Sequence, residues 1–244
     1  ATHGVDALSA TADAVAREWG VSREAQDGFA FRSQQRAAAS RAAGWFEGEL
    51  IPVTAGTGKK AALVAADEHP RADTTLAQLQ SLAPLAEGGT VTAGNATGLN
   101  DGACALVLAS EAGMSLHGLQ PLARIVGAAA HGVPPRIRGV GPVGAVQKLN
   151  ARLGWRMADY DVIEFNEAFA AQVLAVARDL GLPEDAEHLN PHGGAIALGH
   201  PLGASGARLA GTAARELQRR GGRRALVSLC VGVGQGLALA LERP

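Results

Sequence analysis

The first half of the chain shows helical spacing of apolar residues, broken by polar turns. Residues 11–19 form an amphipathic stretch that ends at Gly20, and Ser22 precedes an acidic first turn that favours a second helix up to Gly44. Three shorter elements follow: a β excursion, a polar loop and a short helix, at residues 51–64, 67–71 and 74–85. This half is therefore expected to be mainly helical.

From Pro121 onward, apolar strands alternate with helices. The predicted strands are 123–128, 161–165, 225–229 and 236–241, and the predicted helices are 143–153 and 167–180. This alternation predicts an α/β sheet with right-handed crossovers, whose last two strands form an antiparallel pair. The helix 167–180 is apolar on nearly all sides, so we expect it to be buried between two sheets.

Two glycine-rich stretches interrupt the pattern. The first, 88–102, leads into an apolar run at 103–108, which predicts a strand with Cys104 packed at its middle. The second, 190–208, contains a short apolar run at 195–198, also predicted as a strand, then His200 and a helix. This order places an imidazole in a tight turn beside a helix start, although a packing turn with an incidental histidine is the simpler interpretation of Gly-His-Pro alone.

Composition narrows the class of protein. The chain has 244 residues, 47% of them hydrophobic and only 4% aromatic, with a net charge of −1, so nothing favours nucleic acid or an anionic membrane as a partner. There is no apolar run near the roughly 18 residues of a membrane span, and two distant cysteines do not form a disulfide framework, so a cytoplasmic location is expected. Four arginines cluster near the end of a predicted helix, where they are expected to complement its dipole: Arg219, Arg220, Arg223 and Arg224.

Candidate chemistry lies where predicted strands end. Asn166, His200 and Cys230 each follow an apolar run, and the carboxyl ends of strands in α/β sheets converge on ligands. An amide, an imidazole and a thiol that meet at one place can act together in catalysis. Taken alone, Asn166 would more often be a helix N-cap, and Cys230 would more often be a small buried hydrophobic residue. Three glycines around the thiol predict open space and free amides: Gly232, Gly234 and Gly236. No metal site is expected, since the histidines lack cysteines at zinc spacing.

Three sequence blocks carry a family resemblance. Residues 166–170 (Asn-Glu-Ala-Phe-Ala), 193–208 and 230–236 (Cys-Val-Gly-Val-Gly-Gln-Gly) resemble the signature blocks of the thiolase family, in thiolase order. Further similar segments extend along the chain: 4–6, 11–13, 22–27 and 94–102. The stretches 67–71, 74–76 and 230–236 look most like the 3-oxoadipyl-CoA branch, and acetoacetyl-CoA and fatty-acid thiolases share most of these features.

The resemblance implies roles for individual residues. His200 would activate a nucleophilic cysteine and, with a water held by Asn166, stabilise the thioester oxygen. Cys230 would move protons to and from the leaving carbanion or CoA thiol, and the Gly232 amide would complete a second oxyanion hole. Five residues would contact coenzyme A or line the pocket: Thr97, Arg71, Leu8, Ala168 and Phe169. Coenzyme A and acetyl-CoA would be substrates, with no bound cofactor.

The resemblance also implies a fold, and it implies that the family's nucleophilic cysteine is missing from this sequence. Residues 118–244 would be the complete C-terminal domain, a mixed sheet with helices on both faces, and residues 1–117 the loop insertion and last strands of the N-terminal domain. The family's nucleophilic cysteine lies earlier than anything in this sequence, and Cys104 lacks its surroundings. Because the sequence begins at Ala1, we expect it to be a fragment, a split subunit or an incomplete gene product.

Three functional hypotheses follow from the resemblance. The chain acts as a thiolase-type acyltransferase when an N-terminal half supplies the cysteine; it is a non-catalytic remnant that binds coenzyme A or assists assembly; or the sequence is incomplete. A homo-oligomer, dimer or tetramer, is the expected assembly if no separate N-terminal half takes part. Alone, the chain should be poorly stable, because the helix at 167–180 would lose a covering layer and expose an apolar patch.

Overall fold

The computed structural model describes residues 6–244, so Gly4 and Val5 of the first similar segment lie outside the described residues. The helices are α1 (Leu8–Glu18), α2 (Arg23–Ala42), α3 (Leu76–Ser81), α4 (Glu111–His117), α5 (Gly141–Leu153), α6 (Ala170–Asp179), α7 (Ala195–Leu198) and α8 (Ser205–Arg220). The strands are β1 (Val53–Ala55), β2 (Ala62–Val64), β3 (Arg124–Gly132), β4 (Val162–Phe165), β5 (Arg224–Val231) and β6 (Gln235–Glu242). Most predicted elements are confirmed within a few residues, including the Ser22 cap, whose side chain accepts from the Ala25 amide.

The second half forms a mixed four-stranded sheet in the order β3-β6-β5-β4. Strands β4 and β5 are parallel, whereas β5–β6 and β3–β6 are antiparallel, which confirms the predicted final pair. Apolar residues alternate between the two faces: Ile163 and Leu226 join the core shared with α5, while Val162 and Val227 join Leu209 of α8. Helices therefore cover both faces of the sheet, as predicted.

Helix α6 is the centre of the main core, but within residues 6–244 helices, not two sheets, pack around it. Every residue from Ala170 to Ala177 is buried, because α1, α2 and α5 and the 135–140 segment pack around it. The predicted exposed patch on this helix is therefore wrong: helices from the first half of the chain supply the covering layer.

Helix α2 buries a face that is largely polar. Its side chains bond to the segment around α7: Gln34 donates to the Ile196 carbonyl, Arg36 to the Leu189 carbonyl, and Ser40 bonds to His192. Because these polar groups are hydrogen-bonded in the interior, their burial costs little free energy. The same hydrogen bonds attach α2 to the α7 segment.

The apolar run at 195–198 is a single helical turn, α7, and not the predicted strand. Gly193 adopts φ +75°, which redirects the chain, and the Ile196 amide donates to the Glu167 carboxylate at 3.1 Å. A carboxylate that accepts from the free amides of a helix start stabilises that start. Four apolar residues have too short a pattern to distinguish strand from helix, so a contact with residue 167 decides the conformation.

The predicted strand at 103–108 is also wrong. Within the described part of the chain this segment has no regular structure and no strand partner, and Val107 is 89% exposed. Cys104 is exposed rather than packed. Strand conformation depends on a neighbouring ladder that satisfies the backbone amides and carbonyls, and residues 6–244 provide none here.

Candidate active site

Asn166 directly follows strand β4 and lies at the edge of the sheet, beside His200. The Asn166 amide continues the parallel ladder by donating to the Ser228 carbonyl at 3.0 Å, and its side-chain Nδ2 lies 3.4 Å from His200 Nε2. Helix α6 does not begin until Ala170, so Asn166 is not its N-cap. Asn166 Oδ1 is buried and has no hydrogen-bond partner among residues 6–244, which suits an atom that holds water or a ligand oxygen.

His200 is held from the side opposite Asn166 by the start of α8. Its Nδ1 lies 2.6 Å from the hydroxyl of Ser205, the first residue of that helix. A neutral ring protonated on Nδ1 satisfies both contacts, since Nδ1–H donates to Ser205 and Nε2 accepts from Asn166. Burial lowers the pKa of His200, and the charges of Arg208 and Arg138 lower it further. The imidazole is therefore neutral near pH 7, with its Nε2 lone pair directed toward Asn166.

Cys230 lies near the end of β5, next to β4 in the sheet. Since Phe165 is paired with Ser228, Cys230 lies two residues beyond the last matched pair of β4 and β5, on the side of Asn166. Burial raises the pKa of the Cys230 thiol, and the Arg138 guanidinium opposes that effect. The charge of Arg138 lowers the pKa of both Cys230 and His200. A thiol protonated at neutral pH can donate a proton.

The turn after Cys230 uses its glycines in two different ways. Gly232 is exposed, and a Cβ placed on it would meet nothing within 4 Å, as predicted for an open position. Gly234 and Gly236 are buried, and a Cβ at Gly236 would lie 2.0 Å from the Gly141 carbonyl carbon. These two glycines therefore permit close backbone packing against the 133–141 segment and do not provide open space, which corrects the expectation.

Three of the predicted pocket residues lie together. Phe169 has an extended backbone and forms a backbone bridge to Ala96. The Thr97 amide donates to the Ala168 carbonyl at 3.1 Å, while the Thr97 hydroxyl donates to the Ala195 carbonyl at 2.7 Å. The 95–100 loop is thus attached both to the residues after Asn166 and to α7.

The other two predicted contacts lie at the margin. Leu8, at the start of α1, is 50% exposed, and its carbonyl accepts from Thr11, whose hydroxyl in turn accepts from Arg138 Nε at 3.2 Å. Arg71 has an exposed side chain, and its amide donates to the Gln34 side chain at 3.0 Å. Leu8 is therefore linked to the site through Arg138, whereas Arg71 lies on the loop that packs against α2.

Two buried carboxyl groups lie close to Asn166 in the sequence and make hydrogen bonds or an ion pair. Glu164, two residues before Asn166 on β4, is fully buried and lies 3.3 Å from Arg208 of α8. Burial raises the pKa of Glu164 to about 8, although Arg208 opposes this shift. Glu167 accepts from Ser33 and Asn190, both at 2.7 Å, and from the Ile196 amide. Burial nevertheless raises the pKa of Glu167.

The remaining candidate groups are occupied elsewhere. Arg219 and Arg220 bind Glu216, and Arg223 and Arg224 bind Glu242, so ion pairs engage the predicted basic cluster. Among residues 6–244, no group of three His, Cys, Asp or Glu side chains is arranged to hold a metal ion. None of the helices described is long and apolar enough to cross a membrane.

Sequence reasoning missed several residues that hold the site. Ser205 lies within the 193–208 block, five residues after His200. This short spacing to a predicted helix start was the signal that could have identified it. Asn100 and His69 have no such signal, because they come from segments about 100 and 130 residues away and meet the 196–200 segment only in the folded chain.

The comparisons with known proteins agree with this fold. The family model "Thiolase, N-terminal domain" matches residues 3–112, and "Thiolase, C-terminal domain" matches residues 119–243. The two matches together cover most of the sequence. The chain therefore belongs to the thiolase family.

Individual relatives extend this result. The chain is 57% identical over 242 residues to the beta-ketoadipyl-CoA thiolase of Pseudomonas putida, covering 99% of this chain and 60% of that protein. It is 54% identical to the 3-oxoadipyl-CoA/3-oxo-5,6-dehydrosuberyl-CoA thiolase of Escherichia coli K12, covering 98% of this chain and 60% of the relative. The crystal structure of human mitochondrial 3-ketoacyl-CoA thiolase superimposes with a TM-score of 0.92 at 46% identity, covering 97% of this chain and 60% of that one. This chain thus spans about 60% of the length of the relatives it matches.

Proposed function

We propose that the chain provides the acid/base part of a thiolase-type acyltransferase. The reaction is the CoA-dependent cleavage of a 3-oxoacyl-CoA to acetyl-CoA and a shortened acyl-CoA, or the reverse Claisen condensation. The observation that carries the proposal is the placement of Asn166 3.4 Å from a neutral His200, at the sheet edge where Cys230 lies as a protonated thiol.

In this proposal a cysteine outside this sequence attacks the 3-oxo carbon. His200 Nε2 takes the proton of that cysteine, and a water held by Asn166 helps stabilise the oxygen that becomes negative. The bond between C2 and C3 breaks, and the Cys230 thiol donates its proton to the acetyl-CoA carbanion. The resulting Cys230 thiolate then takes the proton of an incoming CoA thiol, which attacks the acyl group on the cysteine and restores both groups.

Neither cysteine of this chain suits the nucleophilic role. Cys104 is exposed, but partial desolvation by its neighbours raises its pKa and the charge of Glu49 raises it further, so little thiolate is available there. The raised pKa of Cys230 suits an acid rather than a nucleophile. The nucleophile is therefore proposed to come from an N-terminal thiolase half, which would also cover the exposed segment 103–108.

The proposal extends to domains, substrate and setting. We place the domain boundary at 117/118, supported by family matches that end at residue 112 and resume at residue 119. The proposed substrate is 3-oxoadipyl-CoA, supported by the names of the Pseudomonas putida and Escherichia coli relatives. The residues proposed to contact coenzyme A or line its pocket are Thr97, Arg71, Leu8, Ala168 and Phe169. No resident cofactor is part of the proposal, and a cytoplasmic homo-oligomer, or a complex with an N-terminal half, is the proposed setting.

The test mixes this chain with the part of the Pseudomonas putida relative that it does not match. Thiolysis of acetoacetyl-CoA and of 3-oxoadipyl-CoA is followed as loss of the 3-oxoacyl thioester in the presence of CoA. We expect no turnover by either polypeptide alone, and turnover by the mixture that disappears in Cys230→Ala and persists in Cys104→Ser. A complex that forms but stays inactive would contradict the proposal.

A second function is favoured because neither of the two cysteines suits the nucleophilic role. On this alternative the chain is a non-catalytic module that binds coenzyme A or assists assembly. Calorimetry that detects CoA binding by the chain, together with an inactive mixture, would support it. Absence of both CoA binding and oligomerisation would exclude it.

A further inference from the structure

Two side chains outside the proposed machinery connect the polar loop at 67–71 to His200. The His200 amide donates to Asn100 Oδ1 at 3.1 Å, and Asn100 Nδ2 lies 3.3 Å from His69 Nδ1. The other ring nitrogen of the same histidine, His69 Nε2, lies 3.2 Å from the Ile196 carbonyl. Three segments distant in sequence are therefore joined at the backbone of His200.

The directions of these hydrogen bonds are mutually consistent. Since Asn100 Oδ1 accepts from the His200 amide, the other half of its side-chain amide is a donor, and His69 Nδ1 must accept from it. A neutral His69 ring then carries its proton on Nε2 and donates to the Ile196 carbonyl. That carbonyl also accepts from Gln34 Nε2 at 3.3 Å, so its two lone pairs are both used.

The backbone is shaped to receive these side chains. Gly199 adopts φ +91°, and a Cβ on it would lie 2.5 Å from Asn100 Oδ1. A Cβ on Gly98 would lie 2.6 Å from His69 Cε1. Leu99 also forms a backbone bridge with His200. Only glycine allows these approaches at positions 98 and 199, so the contact is part of a close-packed arrangement.

We propose that Asn100 is a positioning residue for His200, and that His69 fixes the orientation of the Asn100 side chain. Asn100 holds the His200 backbone while Ser205 holds the ring, so together they set the direction of Nε2. The catalytic meaning of this arrangement rests on the proposed function, which assigns His200 its role. The positioning itself is a property of the folded chain and is measurable without turnover.

The test uses the full chain labelled with ¹⁵N at histidine, with His200 assigned by its loss in His200→Gln. Asn100→Ala and His69→Phe should make the His200 amide exchange with solvent at least tenfold faster. They should also move the pKa of His200 upward, because a loosened ring is better solvated. His69→Gln should behave like the parent, since glutamine can donate to Ile196 and accept from Asn100.

Each outcome has a definite meaning. An unchanged His200 amide exchange rate and an unchanged His200 titration in both Asn100→Ala and His69→Phe would overturn the proposal, even if urea denaturation showed lower stability. Failure of His69→Gln to restore the parent values would overturn the role of His69. Because the readout needs no turnover, these results are separable from an inactive mixture in the thiolysis assay, which would count against the proposed function alone.

Discussion

His200 Nδ1 lies 2.6 Å from the Ser205 hydroxyl, which ties the proposed base to the first residue of α8. Together with Asn166 Nδ2, which donates to Nε2, this contact favours the ring form protonated on Nδ1, so the helix start helps to set which nitrogen can act.

The contact predicts a loss of activity in Ser205→Ala. Loss of one hydrogen bond is worth about 1 kcal/mol, so turnover by the two-polypeptide mixture should fall about fivefold. Long-range ¹H–¹⁵N spectra should show His200 as a mixture of its two neutral forms. Ser205→Thr keeps the hydroxyl and is the control. A Ser205→Ala spectrum with a single neutral form would contradict the role of this bond.

Two half-buried histidines predict a pH dependence of stability. Burial lowers the pKa of His200 and of His188 in the folded chain, so the unfolded chain binds more protons below its ordinary histidine pKa of about 6.5. The free energy of unfolding should therefore fall as the pH falls from 7.5 to 5.5.

Urea denaturation at these two pH values checks this, with the double variant His188→Gln/His200→Gln as comparison. The variant should lose less stability between them than the parent. Glu164, whose folded pKa is raised to about 8, contributes with the opposite sign but is present in both proteins, so it cancels in the difference. Equal losses in the two proteins would refute the assignment.

The charge of Arg138 is expected to increase the reactivity of the Cys230 thiol. Its positive charge lowers the pKa of a thiol that burial raises, so Arg138→Met should leave less thiolate at a given pH. In a Cys104→Ser background, alkylation by iodoacetamide at pH 8 should slow about two- to fivefold, and the pH of half-maximal rate should rise. Arg136→Met, an exposed neighbour, is the control. Faster alkylation in Arg138→Met would contradict the electrostatic role.

Removal of the Glu167 side chain is expected to lower the free energy of unfolding strongly. Glu167→Ala leaves Ser33 Oγ, Asn190 Nδ2 and the Ile196 amide without their shared acceptor in the interior. Removal of such a buried group costs about 3–5 kcal/mol in the free energy of unfolding, whereas Ser33→Ala should cost about 1 kcal/mol. Urea denaturation measures both. Similar costs for the two variants would show that the carboxylate is not the shared anchor.

The glycines of the last turn predict a contrast. Gly236→Ala places a Cβ against the Gly141 backbone and should cost about 3 kcal/mol or more, because backbone cannot move aside as a side chain can. Gly232→Ala enters open space and should change stability by less than about 0.5 kcal/mol. Thermal or urea denaturation of the pair decides the matter, and equal destabilisation would show that both positions are packed.

The sequence alone determined the elements with long, clear patterns and the residues of the motifs. The alternation of strands and helices after Pro121 predicted β4, α5, β5 and β6, because such periodic runs can bury an apolar face in only one way. The order of Asn166, His200 and Cys230 after apolar runs indicated a shared site, and the structure brings Asn166 to His200.

Only the tertiary structure decided the short and the unpartnered segments. Residues 195–198 are too few to have a period, and the Glu167 carboxylate caps them as a helix. Residues 103–108 have strand composition but no ladder partner within the described chain. Asn100 and His69 reach His200 across long stretches of sequence. Such contacts arise from the packing of distant segments, and no local pattern of polar and apolar residues encodes them.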